Sequence, residues 1–146
     1  MESVIRTVAP AGDVQLQSGS CRFTYRRLRP GALQVTITGH DVGQFGTSTL
    51  DEIRLELLRH RPLELFIDAR EALGPAVSVS SEWTNFFSLN REQLRRVHVL
   101  VGSKVVELTI AIAQQLSRTG RLIQIYSDPA IFATVLSDRG WPGSGQ

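Results

Sequence analysis

His40 and Asp68 are the two residues of this sequence best placed to act together as an acid and a base. Asp68 lies near the end of one predicted strand, Leu63–Ala69, and His40 directly follows another, Leu33–Gly39. Ligands of open α/β sheets bind beyond the carboxyl ends of the strands, so the two side chains would form a catalytic pair if their loops converge. An aspartate that leaves a strand more often hydrogen-bonds within its own loop. We therefore assign no catalytic residue and expect a non-enzymatic protein.

The other candidates for chemistry match no known catalytic or metal-binding motif. His40, His60 and His98 lack a metal-ligand spacing such as H-x-x-x-H, and His98 is expected to be a packed, hydrogen-bonded residue of an apolar strand. Cys21 lies in a predicted strand without an obvious base partner, so we expect no catalytic thiol there. The glycines of residues 39–46 match neither a phosphate-binding loop nor a dinucleotide fingerprint. The sequence thus predicts neither a metal nor a cofactor.

A cluster of hydroxyl groups opens the second predicted helix. Ser78, Ser80 and Ser81 precede Trp83 there. A phosphate added to one of them would meet the free N–H groups and the positive end of the helix dipole. Plain N-capping selects the same residue types at the same place. Both interpretations stay open.

Three aromatic residues, Trp83, Phe86 and Phe87, lie on one side of that helix, which we predict for Ser80–Leu89. Aromatic residues at helical spacing usually belong to the core. Alternatively, they line a pocket for an apolar ligand, with Asp68 and His40 among the lining residues.

The elements that position these residues alternate between strands and helices. This alternation predicts an α/β fold with a single-layer, mainly parallel five-stranded sheet and about four helices. The predicted order is strands Cys21–Leu28 and Leu33–Gly39, helix Thr47–Arg61, strand Leu63–Ala69, helix Ser80–Leu89, strand Val97–Val101, a helix from Ser103, strand Leu122–Tyr126, and a last helix from Pro129 to Gly140.

The chain has 146 residues, of which 42% are hydrophobic and 21% charged, as is typical of one soluble domain. We place this domain at residues 21–140, between a flexible leader, 1–20, and a short tail, 141–146. The N-terminus lacks a signal-peptide pattern and no apolar run is long enough to span a bilayer, so we expect a cytoplasmic location without membrane insertion. The net charge of +2 is dispersed, which argues against a nucleic-acid partner.

The succession of elements resembles the STAS domain of anti-sigma-factor antagonists and transporter cytoplasmic tails, and especially its divergent SpoIIAA-like members. The resemblance covers residues 21–140. It rests on the strand–helix order, on the strand residues 65–68 (Leu-Phe-Ile-Asp) and on the serines that open the second helix. In the regulatory family this helix begins Asp-Ser-Ser/Thr-Gly, and a partner kinase phosphorylates the first hydroxyl to release an anti-sigma factor.

The family's hydroxyl pair corresponds to Ser80 and Ser81 in this chain. Val79 stands where the family has its aspartate, and Glu82 where it has its glycine. The glycine permits close approach of a partner, whereas Glu82 adds negative charge beside an incoming phosphate. The sequence therefore departs from the usual phosphoswitch pattern.

The resemblance implies a regulatory or signalling scaffold module that binds another protein, an anti-sigma factor or a kinase-like regulator. We expect the contacts around Ser78–Trp83, with Ser78, Ser80 and Ser81 as switch candidates and Trp83 as an anchor. The alternative function is a carrier or sensor of a small apolar or lipid-like ligand, because SpoIIAA-like proteins are similar in fold to lipid-carrying domains.

Overall fold

A mixed seven-stranded sheet forms the centre of the computed structural model, which describes residues 3–73, 77–102 and 122–140. Its strands follow one another in space in the same order as in the chain. Strands β1 to β4 pair antiparallel, whereas β4 to β7 pair parallel. The strands are β1 (Ile5–Val8), β2 (Val14–Ser18), β3 (Cys21–Arg29), β4 (Ala32–Gly39), β5 (Leu63–Ala72), β6 (Leu94–Val101) and β7 (Ile123–Tyr126).

Three α-helices lie within the described residues: α1 (Ser48–Arg59), α2 (Val77–Leu89) and α3 (Pro129–Gly140). A short 3₁₀-helix, Arg91–Gln93, precedes β6. Helix α3 begins as the sequence predicts, because the Asp128 carboxylate accepts a hydrogen bond from the backbone N–H of Ala130 at 2.9 Å. None of these helices is both long and apolar enough to cross a bilayer.

The N-terminal segment corrects the predicted sheet. Residues 1–20 were expected to form a flexible leader, yet β1 and β2 fall within them, and the sheet is mixed and seven-stranded rather than mainly parallel and five-stranded. Every residue of β1 is exposed, and the strand is held by its pairing with β2 and by the ion pair between Arg6 and Glu52 of α1. The helix predicted from Ser103 and the tail 141–146 lie outside the described residues.

Two apolar layers cover the two faces of the sheet. On one face, α1 and α2 pack over the inward side chains of β3 to β7, including Val35, Leu65 and Val97. On the other face, Phe132 of α3 packs against Phe66 and its neighbours. The strands β5 and β6 are therefore covered on both sides, which explains why their central residues, 65–67 and 97–101, are apolar except for His98.

A buried polar network crosses the second layer. The carboxylate of Glu64, on β5, is hydrogen-bonded to Nε2 of His98 at 2.6 Å and accepts hydrogen bonds from the guanidinium of Arg139, on α3. The other ring nitrogen of His98 is hydrogen-bonded to the hydroxyl of Tyr126 at 2.9 Å. His98 is 3% exposed, which confirms the expected packed and hydrogen-bonded histidine.

Glu64 makes the stability of the fold depend on acid pH. Burial alone would raise the pKa of Glu64, but the hydrogen bonds from His98 and Arg139 outweigh it and lower the pKa from 4.5 to about 2. The charged carboxylate therefore stabilises the fold above pH 4.5, and this contribution is lost as the pH falls toward 2.

We expect the free energy of unfolding, measured by urea denaturation, to drop by up to about 3 kcal/mol over that interval because of Glu64. The Glu64→Gln variant should be less stable at neutral pH and lose less on acidification. An equal loss in both proteins would assign the acid sensitivity to other carboxylates.

Candidate functional site

A cavity of about 110 Å³ lies beneath α2, at the end of the sheet where β4 and β5 terminate. Most of the side chains that line it are apolar, and three are polar. The apolar part of the lining comprises Phe23, Ile37, Gly39, Ile67, Ala69, Ala72, Leu73, Val79, Trp83, Phe87, Val99 and Ile123, and the polar residues are Asp41, Ser80 and Thr84.

The aromatic side chains of α2 divide between the core and the cavity. Trp83 stacks on Phe23 with ring centroids 6.0 Å apart and meets the edge of Phe87 at 5.9 Å. Trp83 and Phe87 line the cavity, whereas Phe86 does not. Phe86 is buried beneath the guanidinium of Arg54, which lies 5.0 Å from its ring centroid. Phe86, which was predicted to line a pocket, is thus a core residue that joins α2 to α1.

The serines of α2 point in different directions because of the helical repeat. Val79, Ser80 and Trp83 share the inward face, and Ser78 and Ser81 fall on the exposed face. The two hydroxyls of the predicted switch pair therefore differ in access to solvent. Ser81 is available to a partner, and Ser80 is turned toward the cavity.

The Ser80 hydroxyl is buried without a hydrogen-bond partner among the described residues. Its backbone carbonyl accepts a hydrogen bond from the Thr84 hydroxyl at 2.7 Å, whereas the side-chain oxygen is unpaired among these residues. An unpaired buried hydroxyl is costly and can be satisfied by a molecule that enters the cavity.

Asp41 is the charged group of the cavity lining. It is 6% exposed, and its carboxylate accepts a hydrogen bond from the Gly43 N–H at 2.9 Å. Burial raises the pKa of Asp41, the nearby carboxylate of Glu82 raises it further, and the Gly43 hydrogen bond opposes the shift. The sequence offers His40 and Asp41 equally as residues that follow β4, and it contains no signal that selects Asp41.

The structure does not bring His40 and Asp68 together. Arg70 binds both oxygens of the Asp68 carboxylate, at 3.1 and 2.9 Å, as expected for an aspartate that bonds locally. Asp68 alternates with Ile67 and Ala69, which face the cavity, and so it projects from the opposite side of the strand. His40 is exposed. Neither residue lines the cavity, contrary to the expectation for a ligand pocket.

Solved structures that are similar to this chain include two that cover most of its length. One is an uncharacterized protein of the DUF3478 family with a SpoIIAA-like fold from Shewanella loihica PV-4, at 12% identity, with a TM-score of 0.50 and coverage of 93% of this chain and 95% of that chain. The other is an anti-sigma factor antagonist from Mycobacterium paratuberculosis, at 14% identity, with a TM-score of 0.52 and coverage of 90% and 100%. This chain has a SpoIIAA-like fold. No protein-family model and no curated protein matches the sequence.

The unpaired hydroxyl within this SpoIIAA-like domain leads to a stability prediction. Because an unsatisfied buried hydroxyl costs about 1–3 kcal/mol, Ser80→Ala should raise the free energy of unfolding by about 1 kcal/mol. Ser81→Ala, the same change on the exposed face, should alter it by less than about 0.5 kcal/mol. Urea denaturation of both variants measures the difference. A Ser80→Ala protein less stable than the parent would mean that the hydroxyl is satisfied.

Proposed function

We propose that this chain is a non-enzymatic regulatory module that binds another protein through the region where α2 begins. We define the α2 surface as Val42, Leu73, Ser78, Ser81 and Trp83. The observation that carries the proposal is the exposure of two large apolar side chains: Leu73, which lines the cavity, is 62% exposed, and Val42, which follows the lining residue Asp41 in the chain, is 59% exposed.

A backbone hydrogen bond fixes Leu73 where the strands that frame the cavity end. The N–H of Leu73 donates to the carbonyl oxygen of Gly39 at 2.8 Å, which joins the end of β5 to the end of β4. Val42 follows Asp41, which shares the cavity lining with Leu73. Single exposed apolar residues are common, but a group of them around a concave site is typical of a protein-binding surface.

The similar fold of the anti-sigma factor antagonist from Mycobacterium paratuberculosis supports the class of partner. We propose an anti-sigma factor or a kinase-like regulator. Ser78 and Ser81 are the switch candidates, since both are exposed whereas the Ser80 hydroxyl is buried. A phosphate on Ser81 would add a charge of about −1.5 to −2 beside Glu82 and oppose the docking of an apolar partner.

Photo-crosslinking tests the α2 surface. A photoreactive amino acid at position 81, in the full chain expressed in its native cells, should yield a discrete crosslinked protein, because this exposed position lies within the proposed contact. The same amino acid at position 58 is the control. Leu58 is 75% exposed and lies near the end of α1, toward the end of the sheet opposite the α2 surface. Mass spectrometry of the crosslinked band identifies the partner.

Substitution of the apolar residue supplies the second arm of this test. Leu73→Asp should reduce the position-81 crosslink at least about tenfold, because a charge would be buried at the contact. Leu58→Asp, the same change elsewhere, should leave it unaltered. Equal crosslinking from positions 58 and 81, or insensitivity to Leu73→Asp, would contradict the proposed surface.

The cavity favours a second candidate function, the binding of a small apolar ligand. Its volume of about 110 Å³ is smaller than the roughly 150 Å³ of an apolar cavity that holds benzene. We propose that it accommodates a small apolar molecule or a chain end, with the Ser80 hydroxyl as a hydrogen-bonding group, rather than a whole lipid.

Native mass spectrometry of the gently purified protein tests this ligand. A mass excess that disappears on denaturation is expected, and Ala69→Leu should abolish it because the added atoms fill the cavity. The corresponding control is Ala130→Leu, at an exposed position of α3. A protein without excess mass, or an excess that persists in Ala69→Leu, would contradict ligand binding in the cavity.

A further inference from the structure

Four arginines line a polar concavity of about 300 Å³ at the end of the sheet opposite the α2 surface. We call Arg29, Arg59, Arg61 and Arg95 the arginine basin. Strands β4, β5 and β6 begin at this end of the sheet, and β3 and α1 end there, so the topology brings together residues that are far apart in the sequence. His60, Pro30, Gly31 and Pro62 complete the lining.

The basin carries positive charge that the described part of the fold does not neutralise. None of its four guanidinium groups forms an ion pair there. Glu56 is paired with Arg27 at 2.6 Å, and Glu64 with Arg139 and His98. Glu92, three residues before Arg95, does not line the concavity.

The fold itself explains two of the four arginines. Arg29 donates hydrogen bonds to the Arg139 carbonyl oxygen at 2.8 and 3.2 Å and so binds the last turn of α3. Arg59 lies in the last turn of α1, where a cation is favoured by the helix dipole. Arg61 and Arg95 make no such contact among the described residues, although both border the same concavity.

The chemistry of the basin points to phosphate groups. A planar guanidinium donates paired hydrogen bonds to phosphate oxygens. The concavity offers four guanidinium groups, and it lacks the apolar lining of the cavity beneath α2. Arg29 on β3 and Arg95 on β6 are three strand spacings apart, about 14 Å, which is wider than one phosphate. The volume lies at the lower end of small-ligand sites.

We propose that the arginine basin binds a compact polyanion with two or more phosphate groups, either a free phosphorylated metabolite or the headgroup of a phosphorylated lipid. The ligand lies across the start of β4 and β5, and its phosphates bind Arg61 and Arg95, two arginines whose guanidinium groups the described fold leaves without a hydrogen bond. This site is independent of the α2 surface and of the function proposed there.

Isothermal titration calorimetry of the full chain with sodium pyrophosphate at physiological ionic strength tests the proposal. Saturable binding is expected, and orthophosphate should bind at least about tenfold more weakly because it engages fewer guanidinium groups. Arg61→Glu and Arg95→Glu should each weaken pyrophosphate binding at least about tenfold. The matched control is Arg22→Glu, the same charge change at an exposed position of β3 outside the basin, which should change the affinity less than about twofold.

Two results would overturn the proposal. One is pyrophosphate binding that does not saturate, and the other is an Arg22→Glu variant that loses as much affinity as the basin variants, since that would indicate a diffuse charge effect. Thermal melting followed by circular dichroism verifies that each variant is folded. If a glutamate variant is unfolded, the alanine variant at the same position, Arg61→Ala or Arg95→Ala, is used instead. This variant should also bind pyrophosphate more weakly than the parent.

Vesicle sedimentation distinguishes the two sources of the phosphates. The protein is mixed with phosphatidylcholine vesicles, with or without phosphatidylinositol bisphosphate. Sedimentation only with the vesicles that contain phosphatidylinositol bisphosphate would identify a lipid headgroup, provided that Arg61→Glu abolishes this sedimentation. Pyrophosphate binding without sedimentation would identify a free ligand.

Discussion

A single carboxylate inside the sheet determines how one face of this protein is built. Glu64 is 1% exposed, and a buried charge is tolerated only when partners replace its water. His98 supplies one partner from the neighbouring strand, and Arg139 supplies the other from α3. The need to pair Glu64 thus fixes where α3 ends. Since Arg29 binds the carbonyl oxygen of Arg139, the same requirement brings the end of α3 to the arginine basin.

The two ends of the parallel strands have opposite chemical character. Beneath α2 the lining is mostly apolar, and the polar residues there, Asp41, Ser80 and Thr84, are few. At the other end, guanidinium groups face a polar concavity. The strands between them have eight to ten residues, or roughly 26–33 Å of extended chain. A protein on the α2 surface and an anion in the basin could therefore be bound at the same time without steric conflict.

The sequence predicted the central elements because their periodicity is strong, as in the alternation of Leu33, Val35 and Ile37. It missed the N-terminal hairpin because β1 buries no residue and Leu16 is the only buried apolar residue of β2. The Glu64–His98 contact depends on the register between β5 and β6, which periodicity does not supply. The direction of the Ser80 side chain depends on how α2 is rotated about its axis. The arginine basin depends on the topology, so neither feature can be predicted from local sequence.

The strand order has a consequence for how the chain folds. Each strand pairs with the strands that precede and follow it in the sequence, and no connection passes over another strand to reach a distant partner. Loop-closure entropy grows with the length of chain that must be closed, so this arrangement keeps the cost of each pairing low. The antiparallel hairpins of β1 to β4 require no later residues to form. During synthesis they can assemble first and provide the edge onto which β5, β6 and β7 are added in turn.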